Sequence, residues 1–278
     1  MLTITHLTLH EALRRRVLLL ALIMGLGFLV IFGLGFYAII STTVTPAPRS
    51  ITQGPQQFIA VAFLTMAGLY AVNFLLVMMA ALMPVDTLSG EIRSGAIQSL
   101  VTKPIRRAEV VLGKWLGFWL ILMGYLLLMA GGVILIAFVV SGYTPPNMWS
   151  GFALMMLEGT LLLTLSIAGG TRLSTLANGV MVFGLYGLAF IGGWVEQVSA
   201  LLGNSTGSYV GIIASLIVPT ESLWHLAAYQ MQPAIMRELA ITPFSPTSVP
   251  SDAMIFWALG YVAIALAWGV WQFGKRDL

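Results

Sequence analysis

Cysteine is absent from this 278-residue sequence, which excludes disulfides and any cysteine-based metal or redox chemistry. Charge is nearly as scarce. Asp, Glu, Lys and Arg make up 8% of the residues, against about a quarter in a soluble domain. With 59% hydrophobic residues as well, the composition is that of an integral membrane protein. Of the three histidines, His6 and His10 have the i, i+4 spacing of a ligand pair, but no third ligand lies near them, so no metal site is expected. No basic stripe occurs outside the membrane-flanking loops, which argues against nucleic-acid binding. A nucleotide-binding Gly-x-x-x-x-Gly-Lys-Ser/Thr loop is also missing. Gly113-Lys114 is followed by Trp115 and has Ala108 where the first glycine should be, and Gly274-Lys275 is followed by Arg276.

What is present is a series of long apolar runs. Residues 17–40 carry no charge over 24 positions, about 36 Å of helix and enough to cross a bilayer. Arg14, Arg15 and Arg16 ahead of this run resemble the start of a signal peptide. The run exceeds the length of an h-region, so it is read as an uncleaved span. Five further spans are predicted at 58–83, 115–140, 151–170, 176–195 and 253–273. Residues 1–16 set Leu7, Leu9, Ala12 and Leu13 against His6, His10, Glu11 and the arginines, the pattern of a helix lying at the interface. The segment 196–252 is irregular. Within it, residues 209–218 are apolar but too few to cross, which suits a re-entrant or interfacial helix, and 221–230 reads as a short helix on the membrane surface.

Six spans put both termini on one side of the membrane. Eleven of the thirteen Lys and Arg residues then fall on that side, leaving Arg49 and Arg237 opposite, so the termini are expected in the cytoplasm. Trp115, Trp119 and Trp271 fall near that edge, Tyr143 and Trp149 near the other.

The remaining polarity is concentrated in one island, 84–114, which holds eight of the 23 charged residues: Asp86, Glu91, Arg93, Lys103, Arg106, Arg107, Glu109 and Lys114. Ser89-Gly90 ahead of Glu91 reads as a helix start. Ile92, Ala96, Ile97, Leu100 and Val101 then share one helical face, with Arg93, Ser94 and Gln98 on the other. Lys103-Pro104 stops this helix, and a second one starts at Pro104 and runs into the third span. Gly95 costs about 1 kcal/mol against Ala in mid-helix, and close approach to another surface would offset that. Periodicity alone fits an ordinary interfacial helix equally well.

Gly90-Glu91-Ile92-Arg93-Ser94-Gly95, then Leu100, Pro104, Arg107 and Gly113-Lys114, resemble the loop between the second and third spans of ABC-2 type transporter permeases. The family pattern is roughly Gly-Glu-x-x-x-Gly-Thr, a Leu pair, Pro, Arg and Gly-Lys. Arg93 stands where an acid is common and Ala96 where Thr is usual. The resemblance implies an all-α polytopic membrane protein with an N-terminal elbow helix, six transmembrane helices, a cytoplasmic coupling helix and short re-entrant outer helices. It implies separate ABC ATPase subunits as partners, with ATP and Mg held on those subunits and no cofactor on this chain. It also implies a second permease subunit, either a copy or a similar chain, and outward transport along their interface in a prokaryotic cytoplasmic membrane. The partner-binding residues would be Gly90, Glu91, Arg93, Gly95, Gln98, Leu100, Pro104, Arg106, Arg107 and Lys114.

Two polar residues inside spans are candidates for the substrate pathway. Glu158 is the sole ionisable residue well inside a span, where a carboxylate costs on the order of 2.5–3.5 kcal/mol. It either faces a cavity or dimer interface, or is held by a neighbouring helix without a transport role. Asn73 is the other; interhelical hydrogen bonding is its simpler role. Two rival functions remain at this level. An intramembrane enzyme would need a partnered catalytic group, and neither Glu158 nor His225 has one by sequence. A non-transporting membrane assembly subunit has no sequence feature against it.

Overall fold

The computed structural model describes residues 1–14, 16–43, 55–93, 106–239 and 248–275. Among these, every regular element is a helix: α1 (Leu2–Leu13), α2 (Arg16–Thr43), α3 (Pro55–Leu82), α4 (Thr87–Arg93), α5 (Arg107–Ser141), α6 (Met148–Gly170), α7 (Thr175–Leu201), α8 (Ser205–Ile217), α9 (Thr220–Met231), α10 (Ala234–Leu239) and α11 (Ala253–Gly274). Six of them, α2, α3, α5, α6, α7 and α11, are long and apolar enough to cross a membrane. The chain is therefore an all-α, multi-pass membrane protein.

The core lies where α3, α5, α6 and α9 meet. Leu69, Val72 and Leu76 of α3, Leu122 and Met129 of α5, Met155 and Leu161 of α6 and Leu223 of α9 are all essentially inaccessible. α5 and α6 run antiparallel and are tied by indoles: Trp115 Nε1 donates to Thr164 Oγ1 at 2.8 Å and Trp119 Nε1 to Thr160 Oγ1 at 3.0 Å. These tryptophans therefore point at a neighbouring helix, where the sequence suggested an interface belt. Gly142, left-handed at φ 73°, caps α5 and frees the chain for the short turn into α6.

α1 forms over Leu2–Leu13. Its buried residues are Ile4, Thr5, Thr8 and Ala12, while Leu7 and Leu13 are exposed. The reason lies on α5. Gly113 faces Ile4 and Gly117 faces Thr8, so closely that a Cβ on either glycine would stand 2.8–2.9 Å from those side chains. Gly113-x-x-x-Gly117 is thus a groove for α1, which seats the side chains of Ile4 and Thr8 against bare helix backbone. Higher on the same helix, Gly132 faces Leu29 and Tyr125 donates to the carbonyl of Ala21 at 3.4 Å. α1 and α2 consequently both run alongside α5 and in its direction.

The segment after α7 doubles back. Gly207 packs on Ser199, Gly211 on Glu196, and Gly192 on Ala214, so α8 returns antiparallel along α7 for about 10 Å. A 104° bend separates it from α9. α9 then leads out to the start of α6, where Ser150 bonds Gln230 and Gly151 packs on Met231. The pair enters and leaves at the same end of the bundle. The sequence put residues 221–230 on the membrane surface, but Glu221, Leu223, Trp224 and Ala227 of α9 are buried. The helix is a plug between α3, α6 and α7, not a surface float.

Candidate functional site

Two regions carry chemistry. The first is the end of the bundle from which the island emerges. Pro84 follows the last turn of α3, and α4 starts at Thr87. The sequence started this helix at Ser89-Gly90, yet Ser89 lies inside it. Its hydroxyl bonds back to the carbonyl of Val85 at 3.2 Å and pairs with Thr175 Oγ1 at 3.0 Å, so it is not available as a cap. Thr175 Oγ1 in turn donates to Asp86 Oδ1 at 2.6 Å. Deeper in, Asn178 Nδ2 donates to the carbonyls of Ser166 at 2.8 Å and Val85 at 3.3 Å, and Ser166 Oγ donates to the carbonyl of Ala81 at 3.1 Å. This network staples the root of the island to the turn between α6 and α7. Gly90 belongs to it: a Cβ there would stand 2.8 Å from Asp86 Oδ1.

The predicted partner-binding residues divide accordingly. Gly90 is half-buried against Asp86, while Glu91 and Arg93 lie on α4. Gly95, Gln98, Leu100 and Pro104 fall outside the described residues. Arg106 is exposed at the start of α5. Arg107 donates from Nη1 to the carbonyl of Gly274 at 3.1 Å, which ties the foot of α5 to the end of α11. Lys114 is 4% exposed, inside the chain's own packing.

The second region is a buried polar cluster at mid-bundle. Asn73 Nδ2 of α3 donates to Glu158 Oε1 of α6 at 3.3 Å. Both predicted pathway residues are thus brought together, with Glu158 fully inaccessible and Asn73 4% exposed. Among the described residues, Asn73 Oδ1 and Glu158 Oε2 have no hydrogen-bond partner. Glu221 of α9 lies within electrostatic reach of Glu158, and His225 Nε2 is 3.5 Å from Glu221 Oε1. Tyr70 of α3 stacks edge-on against Trp224 at 5.5 Å, and Gly193 of α7 makes room for Glu221 and His225.

Sequence reading missed Glu221, His225 and Tyr70 as neighbours of Glu158, and took His225 as isolated. One signal was available: Glu221 and His225 stand at i, i+4 and share a helix face. Their approach to Glu158 follows from the folding-back of α8 and α9, which no local pattern encodes. Among the described residues, no group of three or more His, Cys, Asp or Glu could hold a metal ion.

Residues 2–278 match the model of a family described as ABC-2 family transporter protein. No curated protein matches the chain.

Proposed function

The chain belongs to the ABC-2 transporter family and is a transmembrane subunit of an ABC transporter, and from that premise we propose how it works. Two copies, or this chain and a similar one, pair in a cytoplasmic membrane with both termini inside. Each binds a separate ATPase subunit through the island, and cargo leaves outward along the line where the permease subunits meet. ATP and Mg belong to the ATPase subunits.

The observation that carries this reading is the stapled root of the island. A loop that merely lay on the membrane would gain nothing from Asp86 and Ser89 being bonded to Thr175 of α7, or from the carbonyl of Val85 being bonded to Asn178. With those bonds, a push on 91–106 reaches α3, α5, α6 and α7 together, as a rigid-body switch requires. At the other end, α8 and α9 act as the exit gate. Asn73 and Glu158 are buried and Glu221 of α9 lies close to Glu158, so in this reading the pair meets cargo only when α9 moves away.

The test is co-purification of the full chain with candidate ATPase subunits, repeated with Glu91→Ala and Gly95→Leu. The expected result is loss of the complex, or of solute-stimulated ATP hydrolysis, while the chain itself still elutes and melts normally. Unchanged assembly and unchanged stimulation in both variants would remove the coupling assignment.

A further inference from the structure

We propose that the cleft between α2, α3 and the middle of α5 holds an acyl chain of an anionic phospholipid whose phosphate rests on Arg14 and Arg16. The cleft encloses about 400 Å³. Its floor is Leu18, Met79, Met83 and Tyr125, each below 5% exposed, and its rim includes Met24 and Phe74, 63% and 50% exposed. The lining side chains are apolar apart from the phenol of Tyr125, and that hydroxyl is already bonded to the carbonyl of Ala21. Such a lining holds water poorly and hydrocarbon well. Met24, Met78, Met79 and Met83 give it unbranched, adaptable walls that suit a flexible chain better than a rigid ring.

A slot of about 400 Å³ that opens between two helices suits a single alkyl chain. Charge decides the headgroup. The cleft begins at Val17, one residue beyond Arg16, and reaches Met24, so it descends into the membrane from the α1–α2 junction. Arg14 and Arg16 are both exposed there, and neither pairs with a described acid. Glu11 is the one acid on α1; Asp86, beyond the α3 end of the cleft, is engaged by Thr175. Two guanidiniums beside an apolar slot match a phosphodiester carrying a fatty chain.

The test uses the full chain, extracted in mild detergent and equilibrated with phosphatidylglycerol or with phosphatidylcholine of the same acyl chains. Bound lipid is counted by native mass spectrometry. About one phosphatidylglycerol per chain should survive washing, with at least tenfold less phosphatidylcholine. Replacing both arginines (Arg14→Gln with Arg16→Gln) should lower phosphatidylglycerol retention about tenfold without changing elution or melting. Filling the slot with Ala21→Trp should lower retention of both lipids; if that variant does not fold, the arginine pair decides alone. Equal retention of the two lipids by the unaltered chain, or retention indifferent to the arginines, overturns the proposal. So does an Ala21→Trp variant that changes oligomeric state while keeping its lipid, since the slot would then face a second copy.

Discussion

The bond between Asn73 and Glu158 separates two ways of altering one buried pair. Asn73→Leu leaves Glu158 Oε1 without its donor in an inaccessible site, and a buried group stripped of its partner costs about 1–3 kcal/mol. Glu158→Gln keeps an oxygen in place and should change stability by less than about 1 kcal/mol. Replacing both residues by leucine removes the polar atoms together and should recover most of the loss. A double-mutant cycle of urea denaturation in detergent measures this; additive costs would show that the pair does not interact. Gly117 offers a second check at this scale. A Cβ there would meet Thr8 at 2.9 Å and the carbonyl of Thr5 at 3.2 Å. Gly117→Leu should therefore unseat α1 and lower stability by about 1–3 kcal/mol, read as earlier melting and as faster proteolysis between residues 1 and 16. The sequence marked Asn73 and Glu158 as unusual because polar atoms in apolar runs stand out. It could not pair them, because they are 85 positions apart and only the packing of α3 on α6 makes them neighbours.

Helices were legible in proportion to their length and apolarity. The six spans follow from runs that no soluble core would need. The short elements did not follow as well, for reasons that differ. α4 starts at Thr87 because Ser89, a natural cap, is engaged by Val85 and Thr175. α1 turns Ile4 and Thr8 inward because two glycines on a helix a hundred residues away leave a groove for them there. α9 looks amphipathic and so reads as a surface helix, yet its polar face is turned onto other polar groups inside the bundle. The staple at the root of the island makes a prediction at this scale. Thr175→Val removes the donor to Asp86, worth about 0.5–1.5 kcal/mol of stability. That small loss should leave ATPase binding intact while reducing the transport achieved per ATP hydrolysed. Reconstituted vesicles with both rates measured would show it, and an unchanged ratio would remove the staple from the transmission path.

For the molecule as a whole, the absence of cysteine is an experimental opening, since any single cysteine introduced is the sole target for a thiol reagent. A cysteine at Gln98 should react with an impermeant maleimide only in inverted vesicles, and one at Thr144, between α5 and α6, only in intact cells. The reverse pattern would invert the orientation drawn from the arginines and lysines. The overall fold and the membrane setting were readable from composition and run length alone. The Gly113-x-x-x-Gly117 spacing is itself a close-packing signal, but the helix that fills it and the internal cluster were not readable, because both arise from contacts between distant stretches.

α5 runs 35 residues, about 52 Å, against some 30 Å of hydrocarbon. Roughly two-fifths of that rod must therefore overhang the apolar layer, and Gly113 and Gly117, where α1 sits, lie in the first third of its length. A lever with so long an overhang carries its passengers with it. Spin labels on residues 7 and 120 should hold their separation through the transport cycle while each shifts against the rest of the bundle.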